Sequence, residues 1–362
     1  MDFRSRQKKL REQLAVRSVD ALLVSHLPNI HYLCGFTGSA GLLLVADEAS
    51  VFFTDSRYSR QAHDEVKGAR VIIARGSLLG ALGGWIAARR KKSKGWVVGI
   101  EADHLTVTER KRLGDVLPSG LRLRSTAQLV ERLRMVKDHE ELRLIRAAVQ
   151  LGATLFDRAL EILKPGIKET EVAAEMEYAA RRAGADAMSF PTIIGSGARS
   201  ALPHGRASEQ AIPAGAFVVC DFGVILHGYC SDQTRTVWVG AATEEARGAY
   251  ESVREAQEEA IAAVRPGVAV GAVDAAARKI LRKAKLGRYF THSTGHGVGL
   301  EIHEIPRVAA EQREELKPGM VITIEPGIYF PGKWGIRIED MVAVNQNGCE
   351  VLTPTSKNFL AV

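Results

Sequence analysis

The sequence indicates an α+β protein of two domains, a smaller α/β domain over residues 1–127 and a larger domain over residues 128–362. A chain of 362 residues is longer than one hydrophobic core usually supports. In the first third, short apolar runs alternate with helical patterns, which is typical of an α/β domain. Beyond it, long helical patterns and strands separated by glycine turns predict helices packed on an antiparallel sheet.

The N-terminal domain is predicted to begin with a helix. Residues 1–24, MDFRSRQKKLREQLAVRSVDALLV, form a basic amphipathic pattern that leads into a strand and lack the apolar segment of a signal peptide. The apolar runs ALLVS, GLLLVA, VFFT and VIIA follow, separated by helical stretches. We therefore expect an α/β domain that ends near residue 125.

The second domain is predicted to begin with a long helix over residues 127–163. Apolar residues recur there at helical spacing, and Pro165 and Gly166 close the pattern. Two more helices are expected near residues 168–183 and 243–264. Between and after them we expect strands with glycine-containing turns.

The composition favours a soluble protein over a membrane protein. An apolar content of 46% and a charged content of 25% are ordinary for a soluble globular protein. No apolar run approaches the roughly 20 residues of a membrane span, so we expect no membrane partner. The four cysteines show no CxxC spacing, which favours reduced thiols and a cytoplasmic location.

The basic charge of the chain is not arranged like a nucleic-acid site. The formal net charge is +7, and its excess lies in the first 130 residues, which hold 21 Lys and Arg against 12 Asp and Glu. The densest basic run, RRKKSK at 89–94, has no interleaved aromatic residue and no binding motif beside it. We interpret this run as a solvated surface turn and expect no nucleic-acid partner.

Two aspartates are predicted to face each other across a hairpin. In FVVCDFGVILHGYCSDQTRTVWVG, two β-rich runs flank the turn-like LHG, with Asp221 on the first strand and Asp232 on the second. A turn centred between Leu226 and His227 puts both carboxylates on one face, where they repel each other. Either the pair is exposed near the turn, or a divalent cation offsets the repulsion.

Two glutamates interrupt apolar strands of the same domain. Glu325 lies in MVITIEPGIYF, and Glu339 lies in GIRIEDMVAV two residues after Arg337. Because glutamate is rarely buried without a partner, each needs either an arginine or a cation. Four acids in four strands, with His296 in the glycine-rich GHGVG, suit two divalent ions such as Mn²⁺, Co²⁺ or Zn²⁺. The glycines would let backbone approach a ligand closely.

One segment carries a specific resemblance to a known family. HSTGHGVGLEIHE (292–304) matches at every position the signature shared by aminopeptidase P and proline dipeptidase, which are pita-bread metallopeptidases. NIHYLCGFTGSAG and FTDSRYSRQA resemble the creatinase-type N-terminal domain of these enzymes. The resemblance covers nearly the whole chain. It implies a pita-bread catalytic domain, with a curved antiparallel sheet and flanking helices, preceded by a creatinase-like domain.

The resemblance implies a metal site built from five side chains. The implied ligands of two divalent ions, with Mn²⁺ expected first and Co²⁺ or Zn²⁺ as alternatives, are Asp221, Asp232, His296, Glu325 and Glu339. Asp232 and Glu339 would bridge both ions. Creatinase, a metal-free relative, has lost these ligands, whereas all five are present here.

The resemblance also implies how substrate is handled. His204, in ALPHGRAS, and His303 match histidines that act beside the scissile bond, and Glu325 matches the proton acceptor. His292 matches a histidine that contacts substrate. The implied reaction is metal-assisted hydrolysis of the peptide bond before proline, carried out by a homodimer.

Two arginines bear on the length of the substrate. Arg307 follows His303 in HEIPR, as in prolidases, where it faces the carboxylate of a dipeptide; an exposed surface arginine is the alternative. Arg337, which aminopeptidase P shares, is a second candidate for binding substrate. We expect an Xaa-Pro dipeptidase. The alternatives are an Xaa-Pro aminopeptidase acting on longer peptides, a creatinase-like hydrolase and an inactive binding protein.

Overall fold

The structure, a computed structural model, describes residues 1–47, 49–89 and 95–362. This part of the chain divides into two compact units, Met1–Arg134 and Met135–Val362. The boundary predicted from the sequence lies slightly earlier, after residue 127. The predicted surface turn of the basic run lies, over residues 90–94, outside the described residues.

The first unit is an α/β domain. Its helices are α1 (Phe3–Val16), α2 (Leu27–Cys34), α3 (Ser59–Glu65), α4 (Leu78–Ala87), α5 (Val107–Val116) and α6 (Glu131–Arg134), with a 3-10 turn at Ser56–Tyr58. Its strands are β1 (Ala21–Val24), β2 (Leu42–Ala46), β3 (Ser50–Asp55), β4 (Arg70–Ala74), β5 (Val97–Glu101) and β6 (Arg122–Thr126). The strands form one mixed sheet in the order β4-β3-β2-β1-β5-β6. The predicted α/β architecture and the N-terminal helix are confirmed.

The strands of the first unit are apolar because helices cover them. Every residue of β1, β2 and β5 is buried. Apart from Glu101 at the end of β5, these strands are apolar runs and show no alternation. Leu44 and Phe53 of the sheet share a buried cluster with Ile86 of α4 and Leu113 of α5. Burial of this cluster is the main favourable contribution to folding of the unit.

The second unit packs helices on antiparallel sheets. Its helices are α7 (His139–Ile162), α8 (Glu169–Arg182), α9 (Glu244–Ala262) and α10 (Val270–Lys283), with 3-10 turns at Gly197–Ala201 and Gly287–Tyr289. Its strands are β7 (Ala187–Met188), β8 (Ile193–Ser196), β9 (Ala216–Phe222), β10 (Val224–Leu226), β11 (Tyr229–Cys230), β12 (Gln233–Val239), β13 (Gly295–Gly297), β14 (Glu304–Val308), β15 (Val321–Ile324), β16 (Gly327–Phe330), β17 (Trp334–Arg337), β18 (Asp340–Val344) and β19 (Cys349–Val351). The larger sheets have the orders β12-β9-β8 and β14-β13-β15-β18-β19. The predicted α+β fold is confirmed.

Helices bury both of the larger sheets. Val253 of α9 and Val273 of α10 share a core with Ile322 of β15. Helices α7 and α8 share a second core with Val218 of β9 and Val237 of β12, and α7 also packs on the sheet that contains β15. The strand ends of both sheets hold the acids predicted to bind metal.

The long helix predicted over residues 127–163 is interrupted. Helix α6 ends at Arg134, and α7 begins only at His139. Asp138 caps α7, because its carboxylate accepts from the Glu141 backbone N–H at 2.9 Å and its own N–H donates to the Glu141 carboxylate at 3.0 Å. This capping box begins a new helix, although the helical spacing of apolar residues continues through it without a break.

Helix α10 was not predicted, since strands were expected after residue 264. Its buried residues include Val270, Val273, Ala277 and Leu281, which recur at the spacing of a helix face. The signal is therefore present in the sequence. None of the helices in the described part of the chain is both long enough and apolar enough to cross a lipid bilayer.

The predicted hairpin exists with a different register. Strand β9 pairs with β12 so that Asp221 lies opposite Thr234, not opposite Asp232. The turn lies on His227 and Gly228, whose φ angles are 51° and 82°, as the tight turns of twisted hairpins require. Moving the turn by one residue moves the register by two positions. Because side chains alternate between the two faces of a strand, Asp232 stays on the same face as Asp221, as its diagonal neighbour.

Candidate active site

The four predicted acids lie at or near strand ends of the second unit. Asp221 is on β9, and Asp232 immediately precedes β12. Glu325 follows β15 and Glu339 precedes β18, so neither lies inside a strand as predicted. Each predicted apolar strand is broken into two strands at its glutamate. The glutamate therefore lies between two strands, where the regular hydrogen bonds of a sheet are not required.

Three predicted ligands converge closely. Asp232, His296 and Glu339 each offer a ligand atom, and these atoms lie within 4.8 Å of one another. Glu325 joins them, since its Oε1 lies 3.5 Å from His296 Nε2. The same nitrogen lies 3.5 Å from Asp232 Oδ2. One imidazole and several carboxylates in this arrangement form a donor set that suits a divalent cation.

The charges of these acids oppose one another. Burial raises the pKa of Asp232 well above its usual value, and the nearby Glu339 and Asp221 raise it further. Burial likewise raises the pKa of Glu339, helped by Glu325 and Asp221. Burial also raises the pKa of Glu325, to about 7. Ionised together, these groups need positive charge, which is the property of a metal-binding site.

His296 is oriented by its own backbone. Its Nδ1 lies 3.0 Å from the carbonyl oxygen of Gly297, so the proton belongs on Nδ1 and the lone pair of Nε2 faces the carboxylates. Burial lowers the pKa of His296, which keeps the imidazole neutral. A neutral ring with a free Nε2 is the form in which histidine binds metal.

The glycines beside His296 have a steric reason. A Cβ atom on Gly295 would lie 1.9 Å from the backbone oxygen of Thr323, and one on Gly297 would lie 2.4 Å from that of Ile305. The missing side chains therefore make room for the neighbouring strands β15 and β14. The close approach of backbone to a ligand stays a prediction.

A buried network joins Asp221 to His292. Arg337, which is 4% exposed, forms an ion pair with the Asp221 carboxylate and donates to Tyr329 Oη at 2.8 Å. It also donates to Thr234 Oγ1 at 3.1 Å and to the Pro203 carbonyl at 3.1 Å. The substrate-binding role predicted for Arg337 stays a prediction, and these four contacts give it a positioning role.

His292 lies at the other end of this network. Its Nε2 is 3.0 Å from Tyr329 Oη, and its Nδ1 is 2.8 Å from the Ser293 carbonyl. Burial, then the charge of Arg337, lowers the pKa of His292 to about 4. The backbone beside it is held by Arg278 of α10, which donates to the His292 carbonyl at 2.6 Å.

The other predicted site residues are more exposed. His303 and Arg307 are exposed, and the His303 ring lies 4.4 Å from the His296 ring at an angle of 71°. Arg307 lies opposite His296 in the β13–β14 ladder. His204 is exposed on a loop, and a positive charge on its ring would act on His292, His303 and Glu325, so the three share its electrostatic surroundings.

Two site residues were not predicted. Thr234 Oγ1 donates to Glu339 at 2.6 Å and accepts from Arg337, and Tyr329 Oη connects Arg337 with His292. The two-residue period of β12 puts Thr234 on the face of Asp232, so the sequence held a signal for it. Tyr329 is buried, which raises its pKa to about 12, and its partner His292 comes from a segment 37 residues away.

The last residue of the signature has a structural partner. Glu304 pairs with Lys137 at 3.0 Å, and both side chains are at most 5% exposed. A Cβ atom on Gly299 would lie 2.7 Å from the Glu304 carboxylate. This buried pair therefore fixes the segment that follows His296 and carries His303.

Comparisons with known proteins agree over the whole chain. The profile of metallopeptidase family M24 matches residues 143–346, and that of the creatinase/prolidase N-terminal domain matches residues 6–136. An Xaa-Pro dipeptidase of Pyrococcus horikoshii is 36% identical over 98% of both chains. The structure of an Xaa-Pro dipeptidase from Bacillus anthracis superposes with a TM-score of 0.95, at 36% identity over 100% of both chains. An X-Pro aminopeptidase from Thermotoga maritima gives 0.89, at 34% identity over 99% of this chain and 100% of the other.

Proposed function

This chain belongs to metallopeptidase family M24, and on that premise we propose that it is an Xaa-Pro dipeptidase that uses two divalent metal ions. The observation that carries the proposal is the convergence of Asp232, His296 and Glu339 within 4.8 Å. Relatives named Xaa-Pro dipeptidase, similar over nearly full length, support the substrate class.

The donor set fits a divalent cation. The proposed ligands are Asp221, Asp232, His296, Glu325 and Glu339, with Asp232 and Glu339 shared between the ions. Carboxylate oxygens and one neutral imidazole nitrogen suit Mn²⁺, which we expect first, and also Co²⁺ or Zn²⁺. When bound, such ions act as Lewis acids toward a scissile carbonyl.

The remaining chemistry belongs to side chains of this protein. We assign Glu325 as the proton acceptor in hydrolysis, because its carboxylate lies among the proposed ligands, 3.5 Å from His296 Nε2. His303, whose pKa burial lowers, is neutral and can donate a hydrogen bond to the oxyanion that develops on the substrate. We assign His204 to the same region of the substrate, and His292 to contact with the bound peptide.

The preference for dipeptides rests on Arg307. Its guanidinium has no hydrogen-bond or ion-pair partner within residues 1–47, 49–89 and 95–362, and it lies opposite His296 in the ladder. A free guanidinium beside the site can form a charge-assisted bond with the carboxylate that follows proline in a dipeptide. The likeness to an X-Pro aminopeptidase favours the second candidate, cleavage of longer peptides.

The test is a panel of Xaa-Pro, Xaa-Pro-Yaa and Xaa-Ala peptides with added Mn²⁺, Co²⁺ or Zn²⁺, together with metal analysis of the purified protein. We expect metal-dependent cleavage of Xaa-Pro, weaker cleavage of Xaa-Pro-Yaa and none of Xaa-Ala. Preferred cleavage of Xaa-Pro-Yaa would establish the aminopeptidase. Activity that survives complete metal removal would contradict the proposal and favour a creatinase-like hydrolase.

We further propose that the protein is a cytoplasmic homodimer. The cysteines are free, and burial raises the pKa of Cys34, Cys220 and Cys230 to about 12, so these thiols are unreactive and fit a reducing compartment. Light scattering of the purified protein tests the dimer, and fractionation of the source cells tests the location.

A further inference from the structure

A buried glutamate outside the metal site organises the loop that carries His204. Glu169, the first residue of α8, is 0% exposed. Its carboxylate accepts five hydrogen bonds, and the donors are Ser196 N (2.8 Å), Ser196 Oγ (2.8 Å), Arg199 Nε (2.9 Å), Ser208 N (3.0 Å) and Ser208 Oγ (2.7 Å). All five donors belong to one segment, residues 196–208, which we call the His204 loop.

These bonds close the His204 loop at its base. Ser196 and Ser208 are twelve positions apart, yet one carboxylate binds both. Arg199 adds a cross-link, because it donates to Glu169 and also to the Arg206 carbonyl at 2.6 Å. The loop end is also docked on the start of α8, where the Thr170 N–H donates to the Ser208 carbonyl at 3.1 Å.

The middle of the His204 loop is fixed to the active site. The Gly335 N–H donates to Ser200 Oγ at 2.8 Å, and Arg337 donates to the Pro203 carbonyl at 3.1 Å. A Cβ atom on Gly335 would lie 2.2 Å from the Ser200 carbonyl oxygen, so loop and strand β17 touch. His204 therefore projects from a loop held between two anchors, one at Glu169 and one at β17.

We propose that Glu169 is a positioning residue, which holds the base of the His204 loop closed so that His204 keeps its place beside the bound substrate. The inference rests on the proposed role of His204. A carboxylate suits the task because it accepts several bonds at once, and charge-assisted bonds are stronger than neutral ones. No neutral side chain of the same size can satisfy five donors, since glutamine replaces one oxygen with a donor.

The test compares Glu169→Gln with a matched control on the same helix. Glu171→Gln removes an equal charge from the first turn of α8 and weakens one cap bond, to the Lys168 N–H at 3.0 Å, and Glu171 has no hydrogen bond or ion pair with the described residues of the His204 loop. For the metal-loaded enzyme on Xaa-Pro, we expect Glu169→Gln to lower kcat about 10- to 100-fold, as for a small misplacement of a catalytic group. KM and bound metal should stay near wild type, and Glu171→Gln should match wild type in kcat.

Coupling to His204 separates positioning from a general loss of structure. In the His204→Ala variant, Glu169→Gln should lower kcat by no more than about twofold, because the loop no longer has His204 to position. A full additional loss in that variant would overturn the inference, and so would unchanged kcat in Glu169→Gln. A wild-type enzyme that cleaves no Xaa-Pro peptide would instead refute the proposed function.

A milder variant covers the case in which Glu169→Gln does not fold. Ser208→Ala deletes one of the five donors and leaves the backbone bonds intact. It should lower kcat less than Glu169→Gln, and its effect should disappear in the His204→Ala background. An effect of Ser208→Ala that persists undiminished without His204 would contradict the positioning role.

Discussion

Without metal, the second unit should lose stability as the pH rises from about 4.5 to about 7. Burial raises the pKa of Glu325 from 4.5 to about 7. A carboxyl group with a raised pKa contributes stability that is fully present below its unfolded pKa and is lost as the pH rises through its folded pKa. The difference corresponds to about 3 kcal/mol, at about 1.36 kcal/mol per pKa unit. Asp232 and Glu339 act in the same direction, because burial raises both pKa values.

Thermal unfolding of chelator-treated protein at about pH 5 and about pH 7.5 measures this loss. Glu325→Gln is the matched control, because glutamine resembles the protonated acid and does not titrate. One kcal/mol shifts Tm by about 2–4 °C in a unit of this size, so wild type should fall about 6–12 °C more than the variant. Added Mn²⁺ should restore wild type by binding the folded state. Equal pH dependence in the two metal-free proteins would refute the argument from burial.

Four substitutions test the proposed roles. Glu339→Ala should lower bound metal well below wild type and remove most hydrolysis, and a variant with full metal content would contradict its role as a shared ligand. His303→Ala should keep its metal and lose about 10²- to 10³-fold in kcat, whereas His296→Ala should lose metal as well. Equal metal contents in the two variants would contradict the assignment of His296 to metal and His303 to substrate. Arg307→Ala should raise KM for Xaa-Pro about 10- to 150-fold, for a bond of about 1.5–3 kcal/mol, with kcat nearly unchanged. Equal losses on Xaa-Pro-Yaa would make Arg307 structural.

The acids of the site were predictable because they conflict with their local sequence. Asp221 and Glu339 stand among apolar, strand-forming residues, and such conflicts mark positions where another requirement overrides local preference. The α/β pattern of the first unit was equally visible, since its buried strands are continuous apolar runs. Both predictions depended on information within a few neighbouring residues.

Other features could not be reached from local pattern. The position of a two-residue turn sets the register of a whole hairpin, and only Gly228, which adopts a positive φ readily, distinguishes a turn at His227–Gly228 from one at Leu226–His227. The contact of Tyr329 with His292 joins segments that are distant in sequence. The five bonds of Glu169 are of the same kind, because helix α8 and the loop it holds meet only in the folded unit.

Arg337 changes the charge balance of the proposed two-ion site. Four ionised carboxylates alone would balance two divalent ions, but the ion pair with Asp221 adds a permanent positive charge. The acids and Arg337 together carry a net charge of −3, so one divalent ion would leave −1 and two would leave +1. With one ion, the site keeps a net negative charge and its buried carboxylates still repel one another. With two ions, the site would be slightly positive, which favours the negative charge that develops on a peptide carbonyl during hydrolysis. A net charge of +1 therefore suits the proposed hydrolysis better than a net charge of −1.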